Sequence, residues 1–220
     1  MPRSRSRLRW SVYRQQRARW PQTGRHILAQ HSDDHVVVYQ AYNDRIADWA
    51  VENQRLGGPW SFDRMSWIKP NFLWMMYRCG WASKPDQERV LAVTLQRDGF
   101  ETILSLALET SYHDSLHGPD RDAWRKQGKL ADVRMQWDPD HTPLGGKLSR
   151  RAIQLGLRGE TLRRYATEWI VRIDDITSEV RVQAENRADD RALKTPWEAL
   201  YTPADPAVRK RLRLDRPRGS

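Results

Sequence analysis

Three cations lie within an unusually apolar stretch of the chain, where they could form an anion site. Arg64, Lys69 and Arg78 fall in the segment from Phe62 to Trp81, which reads FDRMSWIKPNFLWMMYRCGW. A long cationic side chain beside packed Trp and Met residues either extends to the surface or lines a cleft that receives an anion. Extension to the surface is the commoner outcome. Three such cations around one strand–helix turn nevertheless favour a phosphate or carboxylate site.

Glu168 is the candidate catalytic carboxylate. It stands directly before the apolar segment Trp169–Ile173. An ionised carboxylate rarely lies at the edge of a buried strand without a partner. Glu168 could therefore pair with a nearby arginine, Arg163, Arg164 or Arg172, or it could act as a catalytic group at a cleft.

The sequence gives little indication of a metal site or of a reactive cysteine. His31 and His35, and likewise His113 and His117, are four residues apart, but no secure helix is predicted to present either pair. The one cysteine, Cys79, falls on a predicted buried helix, where an apolar filler is a commoner role than a nucleophile. The sequence has no phosphate-binding glycine loop and no nucleophile-elbow motif. We therefore expect no metal.

The elements that must position these residues are predicted from periodicity. Val36–Tyr39 is a short β-branched run typical of a buried strand, and an amphipathic helix is predicted at 42–50. Residues 64–69 alternate between polar and apolar as a strand does. Pro70 suits the first turn of a helix at 72–79. That helix is apolar on every side, which predicts that it is buried on every side.

Further strands are predicted at 88–97, 132–137, 152–157 and 169–173, with short helices between them. The stretch at 111–129 is polar and irregular. The best fold class is α+β, a single domain with a curved or split, mainly antiparallel sheet and short packed helices, flanked by basic tails. A doubly wound α/β fold is the second choice, because strands and helices alternate in part.

The net charge of +10 is concentrated at the two ends of the chain. Residues 1–25 carry +8 and residues 209–220 carry +5, which leaves about −3 between them. We divide the chain into a basic, flexible N-terminal arm (1–25), an α+β domain (26–205) and a basic Pro/Arg-rich tail (206–220). Such ends either bind RNA or DNA or only keep the chain soluble. The candidate nucleic-acid contacts are Arg3, Arg5, Arg7, Arg9, Arg209, Lys210, Arg211 and Arg213.

Length and composition set the remaining expectations. A chain of 220 residues suits one domain of ordinary size. A single cysteine excludes an intramolecular disulfide. Neither an apolar run of about 18 residues nor a secretory leader is found. We expect a cytoplasmic protein with no membrane partner, and the oligomeric state is not predicted.

Five segments carry a family resemblance. They read VYQAYNDRIADWAV, RMSWIKPNFLWMMYRCGW, QERVLAVTLQRDGFE, AIQLGLRGE and EWIVRIDDIT. In this order they resemble the family catalogued as domain of unknown function 4291. The resemblance covers about residues 25–205, leaves both basic ends outside, and implies little about activity.

A second resemblance is more distant. A strand with a polar residue, a strand with an aromatic residue and a late glutamate at a strand start are similar to the pattern of ADP-ribosyltransferases, in which NAD lies in the cleft of a split sheet. The resemblance implies a first position at Tyr39 or Gln40, a second at Ser66 or Trp67, and Glu168 as the catalytic residue. The sequence departs from that pattern, because the first position lacks His or Arg and the second lacks Tyr.

Two functional hypotheses follow. The first is NAD-dependent ADP-ribosyl transfer, with nucleic acid held by the tails as a candidate acceptor; it predicts that Gln40, Trp67 and Lys69 converge on one cleft with the catalytic glutamate. The second is a non-catalytic nucleic-acid-binding module with Arg-rich ends and stacking aromatic rings. The near-neutral body favours the enzyme slightly. The candidate cofactor-binding residues are Tyr39, Gln40, Arg64, Ser66, Trp67 and Lys69.

Overall fold

Two larger β-sheets and two strand pairs form the body of the protein. The computed structural model describes residues 8–112 and 118–216. Within these ranges the strands are β1 (Trp10–Val12), β2 (Gly24–Arg25), β3 (Ile27–Ala29), β4 (His35–Tyr42), β5 (Ser66–Ile68), β6 (Arg89–Gln96), β7 (Ala107–Glu109), β8 (Val133–His141), β9 (Lys147–Leu157), β10 (Ile170–Asp175), β11 (Lys194–Pro196) and β12 (Ala199–Tyr201).

Short helices pack around these strands. None of the helices in the described ranges is long and apolar enough to cross a membrane. They are α1 (Tyr13–Arg17), α2 (Asp44–Asn53), α3 (Phe72–Cys79), α4 (Arg97–Leu106), α5 (Arg121–Leu130), α6 (Gly159–Arg164), α7 (Thr177–Glu185) and α8 (Pro206–Arg211), with a π-helical turn at Tyr165–Trp169.

The two larger sheets meet at a seam. The first has the strand order β10–β6–β4, and the second has the order β2–β9–β8–β7 with β5 also paired to β9. Among the described pairings, β2–β9 and β7–β8 are parallel and the others are antiparallel. An isolated bridge between Tyr39 on β4 and Lys69, just after β5, joins the sheets. The predicted α+β domain with a curved, mainly antiparallel sheet is therefore confirmed.

Helix α3 is buried, as its sequence predicts. Phe72 to Met76 and Cys79 are all inaccessible or nearly so. The Asn71 side chain accepts a hydrogen bond from the Trp74 amide at 2.8 Å, which caps the first turn. Gly80 ends the helix with a φ of 61°, a left-handed conformation that glycine adopts without strain. Burial raises the pKa of the Cys79 thiol, in keeping with a filler role.

The two ends of the described chain pack onto the domain. Tyr13 and Trp20 are buried near the N-terminus, and Val208 and Leu212 are buried near the C-terminus. β1 also pairs with β11, so the N-terminal end joins a strand pair. Residues 8–25 thus differ from the flexible arm that we expected, and residues 206–216 of the basic tail are also packed against the domain. The apolar residues among the arginines supply the burial that holds these segments in place.

A buried ion pair connects the N-terminal segment to the β8–β9 hairpin. The Arg150 guanidinium donates from Nε and Nη2 to Asp140 Oδ2 at 2.8 and 2.6 Å, and both side chains are almost fully buried. Arg150 Nη1 donates to the Pro21 carbonyl at 2.6 Å, and the guanidinium lies 5.3 Å from the centre of the Trp20 ring. One arginine therefore ties two distant parts of the chain together.

Glu198 extends this network to the start of α3. Its Oε1 accepts from the Phe72 amide at 2.6 Å and its Oε2 accepts from Asn71 Nδ2 at 3.2 Å. The Glu198 amide donates to Gln16 Oε1 at 2.8 Å. Burial, with the nearby Asp140 carboxylate, raises the pKa of Glu198 well above its ordinary value.

Candidate anion-binding site

A cleft of about 610 Å³ lies at the seam between the two larger sheets. Strands β4, β5, β8 and β9 and helix α3 contribute side chains to it. Its volume is within the range typical of small-molecule sites. Five of the six predicted cofactor-binding residues line this cleft, together with Arg78. The five are Gln40, Arg64, Ser66, Trp67 and Lys69.

Lys69 is buried at this cleft, with 4% of its surface exposed. Its ammonium group forms no hydrogen bond or ion pair with the residues that the structure describes. Burial first, and then the positive charge of Arg78, lower the pKa of Lys69 to about 8. An anion that enters the cleft would stabilise the charged Lys69 ammonium, because it replaces the hydration that burial removed.

Asp138 is the carboxylate whose charge opposes that shift in the pKa of Lys69. Its two oxygens are already engaged by amide groups. Gln136 Nε2 donates to Oδ1 at 2.9 Å and Gln154 Nε2 donates to Oδ2 at 2.7 Å. Asp138 therefore acts on Lys69 from a distance and leaves the ammonium without a direct partner.

Arg64 and Arg78 add two further positive charges. Both residues are exposed, and neither guanidinium pairs with a carboxylate of the described residues. Asp86 is the acidic residue among those that line the cleft, so the lining carries a net charge of +2. Two unpaired arginines beside a buried lysine form a surface that attracts phosphate or carboxylate groups.

The Gln40 side chain is held fully in place. Its Nε2 donates to Ser66 Oγ at 2.9 Å and to the Trp67 carbonyl at 3.3 Å. Its Oε1 accepts from the Tyr165 hydroxyl at 2.6 Å. Gln40 thus links β4 to β5 and to the π-helical turn. Its side-chain amide nitrogen and oxygen both form hydrogen bonds within the protein.

Tyr42 and Ser66 together have one hydroxyl proton that is not used in a hydrogen bond within the protein. Trp60 Nε1 donates to the Tyr42 hydroxyl at 2.9 Å, and the Tyr42 and Ser66 hydroxyls are 3.3 Å apart. Ser66 Oγ also accepts from Gln40. The two hydroxyls share one proton between them, so the second proton remains available to a ligand. Burial raises the pKa of Tyr42, so this pair is a donor and not a base.

Tyr39 and Glu168 lie outside the cleft. The Tyr39 ring is fully buried and packs edge-on against Phe72 at 5.5 Å between centroids. Glu168 pairs with Arg164 at 3.1 Å at the surface, where 55% of its side chain is exposed.

Strand register shows the separation of Glu168 from Gln40. Glu168 precedes Ile170, which pairs with Leu95, whereas Gln40 pairs with Leu91. Four residues along β6 correspond to about 13 Å. The π-helical turn directs Tyr165 towards Gln40, and the expected convergence of Glu168 with the other residues is not seen. The catalytic role of Glu168 stays a prediction.

The predicted nucleic-acid contacts fall into two groups. Arg3, Arg5 and Arg7 lie outside the described residues, whereas Arg9 is described and its guanidinium lies 4.3 Å from the centre of the Trp197 ring. At the other end, Lys210 is exposed, and three arginines are bonded within the protein. Arg209 donates to the Pro203 and Ala204 carbonyls, Arg211 donates to the Ser105 carbonyl, and Arg213 pairs with Glu109.

Metal-binding groups do not gather in the described part of the chain. Within residues 8–112 and 118–216, no three His, Cys, Asp or Glu side chains lie where they could share a metal ion. His31 instead contacts the Leu200 carbonyl at 3.2 Å and the edge of the Tyr201 ring. His113 and His117 lie outside the described residues.

Sequence reasoning missed several residues of the site. Tyr42 could have been found, because it lies two positions after Gln40 and a strand directs such residues to one face. Gln136 and Gln154 reach the cleft from paired strands, and Tyr165 reaches Gln40 from the π-helical turn. These three depend on register and on local helix geometry, which periodicity does not reveal.

The fold and the site define an α+β protein with a cationic cleft at the split of its sheet. The chain belongs to the family described as domain of unknown function (DUF4291), which matches residues 26–201. No curated protein matches it at a significant level.

Proposed function

We propose that the cleft binds a phosphorylated small molecule of nucleotide size, with NAD as the first candidate. The observation that carries the proposal is the buried Lys69 ammonium, which has no partner among the described residues and lies at a cleft with two unpaired arginines. The nearby Asp138 carboxylate is occupied by two glutamines. A diphosphate would supply the charge that these three cations lack.

The shape of the cleft supports a ligand larger than inorganic phosphate. Its volume of about 610 Å³ suits a nucleotide or a dinucleotide. Trp67 is half-buried in the cleft lining and could stack on a base or a nicotinamide ring. A Cβ at Gly156 would come within 2.9 Å of the Trp67 indole, so this glycine lets the indole lie close to β9.

The test is thermal stability in the presence of NAD, ADP, pyrophosphate or adenosine. A ligand that binds the folded state raises the melting temperature by mass action. We expect the three phosphate compounds to stabilise the protein and adenosine to have little effect. Replacing Arg64 or Arg78 with Ala should weaken binding by about 10-fold or more, because a hydrogen bond to a charged group contributes about 1.5–3 kcal/mol.

Arg187→Ala is the matched control. Arg187 is exposed, lies just after α7 and does not line the cleft, yet its removal changes the net charge by the same amount. Equal loss of affinity in Arg78→Ala and Arg187→Ala would show that the effect comes from overall charge, and the cleft would not be the site.

ADP-ribosyl transfer is the reaction that NAD binding would make possible. Breaking the nicotinamide–ribose bond develops positive charge on the ribose, which a nearby carboxylate would stabilise. Glu168 lies two residues before Ile170, whose partner on β6, Leu95, is about 13 Å along the strand from Leu91, the partner of Gln40. If it is catalytic, Glu168→Ala should abolish NAD turnover and leave the NAD-induced stabilisation unchanged. Retained turnover in Glu168→Ala would remove it from the reaction.

Nucleic-acid binding through the basic ends is the second candidate. A groove of about 610 Å³ beside α8 is lined by Lys210, Arg213 and Arg216, which favours phosphate binding there. We expect affinity for a short RNA or DNA to fall steeply between about 50 and 200 mM salt and to fall further in Lys210→Ala. Affinity that does not depend on salt would contradict this candidate.

A further inference from the structure

We propose that Lys69 condenses with the aldehyde or ketone carbon of a phosphorylated ligand to form an imine, while Arg64 and Arg78 hold the phosphate. This inference rests on the proposed phosphate site and narrows its ligand to a phosphorylated aldehyde or ketone, a class that does not include NAD. The geometry behind it is one cleft that contains a buried primary amine without a partner, two unpaired guanidinium groups and a free hydroxyl donor.

The choice of lysine at the buried position is informative. A guanidinium stays charged in proteins and is the better group for a permanent ion pair with phosphate. A lysine amine can lose its proton when it is desolvated and lies beside another cation, and it then becomes a nucleophile. Lys69 meets both conditions, because it is 4% exposed and the charge of Arg78 acts on it.

The other six lysines give an internal comparison. All of them are exposed, namely Lys84, Lys126, Lys129, Lys147, Lys194 and Lys210. At neutral pH an amine with a pKa of about 8 has a neutral fraction on the order of 100-fold larger than an unperturbed lysine amine.

The condensation uses groups that line the cleft. The neutral Lys69 amine adds its lone pair to the carbonyl carbon, and one proton passes from the nitrogen to the carbonyl oxygen to give a carbinolamine. The Tyr42–Ser66 pair has one hydroxyl proton available for a hydrogen bond to that oxygen. The carbinolamine hydroxyl then takes a second proton and leaves as water, while the nitrogen lone pair forms the carbon–nitrogen double bond and the nitrogen loses its second proton. Both amine protons thus leave in the water, and no oxidant or reductant is needed.

The experiment uses pyridoxal 5′-phosphate, a phosphorylated aldehyde, as the probe. The full chain is incubated with the probe at pH 7 and treated with borohydride, which reduces any imine to a stable secondary amine. Labelled lysines are then located by peptide mass spectrometry. Pyridoxal, which lacks the phosphate, and excess pyrophosphate as a competitor are tested in parallel, and Lys69→Arg keeps the charge without the primary amine.

We expect Lys69 to carry at least about 10-fold more label than any surface lysine. Pyridoxal should label it weakly, and pyrophosphate should protect it. The label at Lys69 should also rise with pH to half its maximum near pH 8, following its pKa of about 8.

Each contrary outcome has its own meaning. If pyrophosphate stabilises the protein through Arg78 but Lys69 takes no more label than surface lysines, the imine proposal is wrong and the phosphate site stands. If Lys69 is labelled equally by pyridoxal, the amine is reactive but phosphate does not anchor the ligand, which also overturns the proposal. If pyrophosphate neither stabilises nor protects, the proposed function itself fails.

Discussion

Replacing Arg150 with Ala is expected to lower the free energy of unfolding by about 3–5 kcal/mol. The substitution leaves the Asp140 carboxylate buried without the two hydrogen bonds from the Arg150 guanidinium and removes the donor to the Pro21 carbonyl. The loss is large against the total stability of about 5–15 kcal/mol that is common for a domain. Urea unfolding followed by tryptophan fluorescence at neutral pH measures it.

Arg151 provides the control for this prediction. It is the next residue on β9 and is exposed, so Arg151→Ala removes the same charge from a solvated position. We expect its effect to stay within about 0.5 kcal/mol. Similar losses in the two variants would mean that the buried pair does not stabilise the fold more than a surface arginine does.

Replacing Lys69 with Met is expected to stabilise the protein and to abolish binding of the phosphorylated ligand. Methionine is unbranched and apolar and can fill the space of the lysine stem. The lowering of the pKa of Lys69 from 10.5 to about 8 corresponds to a penalty of up to about 3 kcal/mol for keeping the ammonium charged in the folded protein. We therefore expect the free energy of unfolding at pH 7 to rise by about 1–3 kcal/mol.

The pH dependence of the free energy of unfolding is a second, independent test of the Lys69→Met prediction. Between about pH 8 and pH 10.5 the folded protein has released the Lys69 proton, whereas the unfolded chain still binds it. Stability rises with pH wherever the unfolded state binds more protons. The wild-type protein should thus gain stability relative to Lys69→Met across this window, and the two curves should converge as the penalty disappears.

Lys147→Met is the comparison for both measurements. Lys147 is exposed on β9, so its replacement should change neither the stability nor its pH dependence by much. A Lys69→Met protein that is less stable than the wild type would show that the ammonium has a stabilising partner. The description of Lys69 as an unsatisfied cation would then be wrong.

The central part of the fold could be predicted because its signals are local. Helix α3 spans Phe72–Cys79 as expected, since Pro70 and Gly80 bound a run that is apolar on every side. Strand β5 falls within the alternating segment 64–69. The cations of the cleft were found because Arg64, Lys69 and Arg78 stand out against their apolar neighbours.

The remaining structure depends on contacts that are distant in sequence. Strands β11 and β12 have three residues each and form by pairing with β1 and β3, more than 160 residues away, so the segment after Thr195 shows no pattern of its own. The turn-rich residues 138–146 predict a loop, but β8 continues to His141 and pairs with β9 across a register shift after Pro139. The segment 158–167 predicts one short helix, but the structure has α6 followed by the π-helical turn at Tyr165–Trp169. Residue propensities do not indicate the wider geometry of such a turn.

The buried network around Glu198 also means that the folding unit is longer than the stretch that defines the family. Gln16 and Trp20 lie before residue 26, where the family match begins, and both form hydrogen bonds to the Glu198 backbone. A fragment trimmed to residues 26–201 would lose these partners and would uncover the apolar surfaces beneath α1 and α8. Recombinant versions of relatives should therefore include the segments before and after the family match. A fragment designed from sequence similarity alone would expose apolar surface patches and aggregate.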